Sequence, residues 1–220
     1  MLSISPDVTV ASVLATHPGA ARIFARHKID FCCRGHLAMA VAIRKSDVSF
    51  DALVDEIIAS HDAPPAIDDS AATAALIDHI VARHHRPLDE ELPRLLGLAD
   101  KVARVHGGPT HAAVLQRMIA LRDDLVPHME REEQVLFPLM LAGDARVTTP
   151  IKVMSSEHEL IGEILRELAQ LTRDYAAPPE ACGSWRALWE GIGALQADLH
   201  THIHLENNLL FPRFTHPAHT

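Results

Sequence analysis

His128-Met-Glu-Arg-Glu132, followed by Leu136-Phe137-Pro138, recurs 74 residues later as His202-Ile-His-Leu-Glu206, followed by Leu210-Phe211-Pro212. On a helix, side chains four apart share a face, so each copy aims an imidazole and a carboxylate at one point. An upstream histidine precedes each copy at nearly the same interval: His85 lies 43 residues before His128, and His158 lies 44 before His202. The spacing predicts a helical hairpin used twice around a shared site.

Four long amphipathic segments surround these motifs, roughly 72–106, 110–142, 151–174 and 182–214. Gly107-Gly108-Pro109, the turn at Gly143 and Ala176-Ala-Pro-Pro179 separate them. Short connections make neighbours antiparallel, so the expected fold is all-α, with an up-down four-helix bundle. In the second segment Leu121, Leu125, His128, Glu132, Val135 and Leu139 form the inward seam; in the fourth, Leu188, Ile192, Leu195, Leu199, His202, Glu206 and Leu209 do. The third places His158 between Met154, Ile161, Leu165 and Leu168. The first segment reads two ways, as Ile77, Val81, His84 and Leu88 or as Val81, His85, Leu88, Leu92 and Leu95. Spacing does not choose between His84 and His85. Pro87, Pro93 and Pro127 fall inside these segments, so kinks or bulges are expected near His85 and His128. The Leu-Phe-Pro triplets read as core and helix-stop elements.

The first sixty residues read as short helices: one after Thr9, one opened by Pro18, one from Leu37 to Arg44 and one capped near Ser49. Asp62-Ala-Pro-Pro-Ala-Ile-Asp-Asp-Ser70 has the composition of a linker. The expected domains are a small helical double-cysteine domain at 1–62, a linker at 63–71 and the bundle at 72–220. Acidic residues outnumber basic ones, 29 to 20, which argues against nucleic acid as a partner. No apolar run reaches the ~18 residues of a spanning helix, so a membrane is not expected. Three cysteines, two of them adjacent, make no disulfide framework and suit a cytoplasmic setting.

A carboxylate in an apolar seam is costly unless it is paired or coordinates a metal. One His-x-x-x-Glu on a helix is common without a metal, but here two copies share core seams with further histidines. Four imidazoles, one per helix, and two carboxylates make a donor set for two divalent ions, with the carboxylates as bridges. Mixed imidazole and carboxylate donors suit iron or manganese, whereas structural zinc sites are closed and often use thiolates. Ferritin-type bundles use Glu-x-x-His with more carboxylates, so the His-x-x-x-Glu pattern points to the hemerythrin-like class. Outside these stripes, His106 reads as a favourable charge at a helix C-terminus, His204 as exposed, and Cys182 as structural.

The chain resembles the iron-sulfur cluster repair di-iron proteins, also called repair of iron centres proteins. The resemblance runs through Ile29-Asp-Phe-Cys-Cys33, Glu91-Leu-Pro93, Val102-Ala-Arg-Val-His106, His128 to Pro138, Ser156-Glu-His158, Pro178-Pro-Glu-Ala-Cys182 with Trp185, and His202 to Pro212. It implies a hemerythrin-like bundle behind a ScdA-type double-cysteine domain. It also implies two non-haem irons with an oxo or hydroxo bridge, held by His85, His128, Glu132, His158, His202 and Glu206. Two departures stand out: the family has an aromatic residue where this chain has His84, and usually a glycine where Arg34 follows the cysteine pair.

The implied function is repair of iron-sulfur clusters damaged by nitrosative or oxidative stress. Iron donation and reduction of nitric oxide are the two routes, the second making the chain an enzyme. Implied partners are damaged iron-sulfur proteins and nitric oxide or oxygen, with a homodimer through the N-terminal modules left open. Cys32 and Cys33 are the thiol or redox candidates; Arg34 beside them would favour thiolate. The rival reading is a hemerythrin-like carrier or sensor of oxygen or nitric oxide without turnover.

Overall fold

The computed structural model describes residues 4–17, 19–60 and 72–215. Among these no strand occurs, and one isolated antiparallel bridge joins Thr9 and Ala38. Pro18 and the expected linker at 63–71 lie outside the described residues.

Four short helices build the N-terminal module: α1 (Val10–Thr16), α2 (Ala20–Arg26), α3 (Met39–Ala42), continued by a 3-10 turn, and α4 (Phe50–Ala59). Caps start two of them where expected. The Thr9 hydroxyl accepts the Ser12 amide and the Ser49 hydroxyl the Ala52 amide, each satisfying an orphan donor of a first turn. Val10, Val13, Leu14, Ile23, Phe24, Phe31, Met39, Leu53 and Ile57 are buried together as its core. These described residues, up to Leu76, form one compact unit with those from His200 onward; Ile77–Leu199 form the other.

The remaining helices make the bundle. The first is α5 (Thr73–Ile80), a π-helical turn at Val81–His85, and α6 (Arg86–His106). The second is α7 (Gly108–Arg131), a π-turn at Glu132–Leu136, and α8 (Phe137–Leu141). The third is α9 (Thr148–Leu171); the fourth is α10 (Gly183–His204), a π-turn at Leu205–Leu210, and α11 (Pro212–Thr215). Packing of α6 on α7 and of α7 on α9 follows the expected order. Between α6 and α10 the approach is close enough that a Cβ at Gly191 would stand 2.4 Å from Leu95 Cδ2. Arg173, Asp174 and Tyr175 turn the chain between α9 and α10 with positive φ, a conformation that favours glycine. The Tyr175 ring packs on Gly193 and its hydroxyl donates to Gln196, which holds that turn. Among the described residues no helix is long and apolar enough to cross a membrane.

The three π-turns share one sequence context, although Pro93 and Pro127 are carried inside regular helix without such a turn. Each π-turn ends one residue before an X-Pro step: Arg86-Pro87, Phe137-Pro138 and Phe211-Pro212. A proline inside a helix has no N–H to give and its ring collides with the carbonyl four residues back. The residue before it donates instead to the carbonyl five back: Arg86 to Val81, Phe137 to Glu132, Phe211 to Glu206. This wider turn carries one extra residue, a π-bulge of the kind frequent at functional sites. The Leu-Phe-Pro triplets thus do not stop helices; they bulge them, while Leu136, Phe137, Leu210 and Phe211 pack in the core as expected. A bulge does form at His85. Pro127, beside His128, is carried inside α7, and the bulge of that helix comes at Glu132.

Candidate metal centre

The bulges place the polar residues of the seams. His85 closes the first, Glu132 opens the second and Glu206 lies in the third, while His128, His158 and His202 come from regular helix. All six are buried, the two glutamates with no exposed surface. His85, Glu132, His202 and Glu206 form one group, and His128, Glu132, His158 and Glu206 a second, in each of which the donor atoms lie within 4.8 Å of one another. The two glutamates are common to both groups.

Hydrogen bonds around the histidines test whether a cation fits. His85 Nδ1 donates to Glu133 Oε1 at 2.9 Å, and His128 Nδ1 donates to Glu157 Oε2 at 2.8 Å. A neutral imidazole that donates from Nδ1 carries a lone pair on Nε2. His85 Nε2 faces Glu132 Oε2 at 3.5 Å, and His128 Nε2 faces Glu132 Oε1 at 3.3 Å and His158 Nε2 at 3.0 Å. Neither oxygen of Glu132 has a hydrogen-bond partner among the described residues. Lone pairs thus converge on a fully buried carboxylate. A divalent cation between them satisfies all of these atoms, so the donor set fits a metal. His202 Nε2 stands 3.1 Å from Glu206 Oε1 in the matching copy.

The carboxylates behind the histidines extend outward. Glu133 pairs with Arg86, and Glu157 accepts Arg131 Nη2 at 2.7 Å on each oxygen. Burial works against the charge of Glu133, but the bonds from His85 and Arg86 outweigh it and hold its carboxyl below the ordinary range. Glu157 is held down in the same way by Arg131 and His128. Such carboxylate–histidine pairs orient a ligand ring and fix its tautomer. Periodicity did not reveal Glu133 and Glu157, because each partners a residue on another helix; their only sequence signal is adjacency to Glu132 and His158.

His84 is buried but turned elsewhere, with Nδ1 donating to Asp198 Oδ1 at 2.9 Å. His85, not His84, joins the donor groups. Both are buried but face different neighbours, His84 the fourth helix and His85 the second, which is why two seams read equally well. His204 departs from its expected exposure. It is buried, its Nδ1 meets Asn208 Nδ2 at 3.1 Å and its ring lies edge-on to Phe31, and burial pushes its pKa down to about 4.

Asp30, Cys32 and Cys33 make a third group. The sulfurs are 3.6 Å apart, and Asp30 Oδ1 accepts both the Cys32 thiol at 3.4 Å and the Cys33 amide at 3.0 Å. The bond to Cys33 and burial raise Cys32 well above the ordinary thiol range. Arg34 turns to Asp30, 4.0 Å away, so the expected activation of Cys32 by Arg34 does not occur. Asn207 and Asn208 donate to the Cys32 carbonyl at 3.3 and 3.1 Å. A Cβ at Gly35 would stand 2.3 Å from Asn208 Oδ1, so a larger residue there would displace the Asn208 side chain.

Comparison with known proteins matches the hemerythrin HHE cation binding domain over residues 76–214. The ScdA_N domain of unknown function matches residues 6–61. The iron-sulfur cluster repair protein YtfE of Yersinia pseudotuberculosis serotype IB (strain PB1/+) is 40% identical over 201 residues, covering 89% of this chain and 91% of that protein. The protein of the same name from Yersinia pestis (strain Pestoides F) has the same identity and coverage. The chain belongs to the iron-sulfur cluster repair family. In this member of the repair family the hemerythrin-type match contains all six buried donors, and the ScdA_N match contains Cys32 and Cys33.

Proposed function

We propose that this chain repairs damaged iron-sulfur clusters with a pair of non-haem irons held by His85, His128, Glu132, His158, His202 and Glu206. The name of its relatives supplies the client class, and the buried donors supply the iron. The carrying observation is Glu132, whose two oxygens are buried, lack hydrogen bonds and face the Nε2 atoms of His85 and His128. Glu206 is the second carboxylate common to both groups. Two carboxylates leave half of the charge of two ferrous ions uncompensated, which a hydroxide or oxide bridge would reduce.

When bound, such irons supply two electrons in passing from ferrous to ferric and are exchangeable, which serves reduction of nitric oxide as well as donation of iron. The residues of the chain do the rest. Glu133 and Glu157 hold the His85 and His128 rings with Nε2 inward, and the apolar residues of the seams keep bulk water out. The reading divides the chain into a double-cysteine domain at 1–62, a linker at 63–71 and the bundle at 72–220, with Cys32 and Cys33 as the thiols of the first. A cytoplasmic setting accords with three cysteines outside any disulfide.

Metal counting with Mössbauer spectroscopy on anaerobically purified protein tests the site. Two irons per chain are expected, with a sharp loss in Glu132→Ala; an iron-free or zinc-only protein would overturn the proposal. The ferrous protein is then given nitric oxide and, separately, an enzyme with a damaged cluster. Recovery of that enzyme's activity is the expected result. Reversible oxygen binding with neither recovery nor nitric oxide consumption would establish the carrier reading.

A further inference from the structure

At the junction of α6 and α10 a second chemical pair occurs that the metal centre does not use. Cys182 is exposed, and its Sγ lies 3.1 Å from Nε2 of His106. Cys182 directly precedes the 22-residue α10, and its carbonyl accepts the Arg186 amide at 3.0 Å, the first bond of that helix. His106 is the last residue of α6, which ends at Gly107 with φ 63°. Helix N-termini favour negative charge and C-termini positive charge. The sulfur thus lies at a helix N-terminus and the imidazole at a helix C-terminus.

The surroundings hold the pair in place. Arg186 donates from Nε to the Ala181 carbonyl at 2.9 Å and from Nη2 to the Pro179 carbonyl at 2.8 Å, fixing the chain that leads into Cys182. The His106 ring lies against Trp185 and His111, with centroids 5.1 and 5.7 Å away. His111 Nδ1 donates to the Gly107 carbonyl at 2.6 Å, tying that ring to the end of α6. A sulfur open to solvent thus stands within hydrogen-bond reach of an imidazole, the geometry of a nucleophile beside a base. The other two cysteines differ: Cys32 is buried and bonded to Asp30 and Cys33.

We propose that Cys182 and His106 form a thiol-exchange site that takes low-molecular-weight disulfides and stores them as a mixed disulfide on Cys182. His106 Nε2 receives the thiol proton, and the Cys182 sulfur attacks one sulfur of the incoming disulfide. The S–S bond breaks, and the departing thiolate takes the proton back. One thiol and one disulfide become one mixed disulfide and one thiol, with no outside oxidant. A thiol reverses the step. Cys182 is thus a functional group, not the structural one its position near a helix start suggests.

The test is glutathione disulfide added to the full-length, metal-loaded protein at neutral pH, with timed quenching and peptide mass mapping of all three cysteines. An ordinary thiol is only a few per cent thiolate at pH 7, and the gain from a base is offset in part by lower nucleophilicity, so roughly tenfold is expected. Cys182 should be modified first, about tenfold faster than in His106→Gln, and Cys182→Ser should show no adduct at that peptide. His106 is exposed, so His106→Gln leaves the core untouched. The glutathione thiol itself, measured by exchange with a labelled disulfide, sets the rate of an unassisted thiol. Equal rates for Cys182 in the native chain and in His106→Gln, a rate at Cys182 no higher than that of free glutathione, or first modification at Cys33 would each overturn the proposal.

Discussion

Glu133 and Glu157 decide how well the histidines in front of them hold a metal. Each accepts a hydrogen bond from the outer nitrogen of its histidine, and each is also paired with an arginine that helps to hold its carboxyl below the ordinary range. Glutamine at either position keeps an oxygen within reach but removes the charge that makes the imidazole a better donor. Removing such a partner costs about 10- to 100-fold in metal affinity. Glu133→Gln and Glu157→Gln should therefore lose iron to a competing chelator by that factor while keeping a native circular dichroism spectrum. The effect is additive only if the two histidines serve separate ions, so the double variant reports whether the two groups of donors act independently. An unchanged chelator titration in both variants would mean that these carboxylates stabilise the fold and nothing more.

Among the elements, the π-turns account for what was and was not legible in the sequence. The seam through Leu121, Leu125, His128 and Glu132 is correct, but beyond Glu132 it continues through Leu136 and Met140, and Val135 is about half exposed, at 49%. In the fourth helix the same slip replaces Leu209 by Leu210. A regular 3.6-residue period cannot carry an extra residue, so in these two helices the positions after the bulge are misplaced by one, whereas in the first helix the seam drawn through His85 runs on correctly to Leu88, Leu92 and Leu95. Pro87 reads in the sequence as the source of a kink or bulge, but Pro138 and Pro212 read as helix stops. Their effect follows only once the helix is seen to continue beyond them. Pro138→Ala tests this account: an amide at 138 can bond the Gln134 carbonyl and let the turn relax to α. Interior proline costs about 3 kcal/mol in a helix, so the metal-free variant should unfold at a higher temperature than the native chain. It should also bind less iron, because Glu132 would leave its position between His85 and His128. A variant that keeps full iron occupancy would show that the bulge does not set that position.

At the scale of the whole molecule, the buried glutamates link metal binding to folding. Glu132 and Glu206 have no exposed surface, and water can solvate neither. An unfolded chain restores that solvation, so without a cation the folded state bears a cost that the unfolded state escapes. A ligand that binds only the folded state stabilises it by RT ln(1 + [L]/Kd), about 4 kcal/mol at a thousandfold excess over Kd. In a chain of this size each kcal/mol moves the unfolding midpoint by roughly 2–4 °C. Removing iron with a reductant and chelator should lower the midpoint by roughly 8–16 °C on that basis, and ferrous iron should restore it. The same removal from Glu132→Ala should produce a much smaller shift, since that chain holds little iron and has lost one of the two buried charges. If the native chain melts at the same temperature with and without iron, Glu132 and Glu206 are accommodated in the fold without a cation, and the ligand assignment fails together with the linkage.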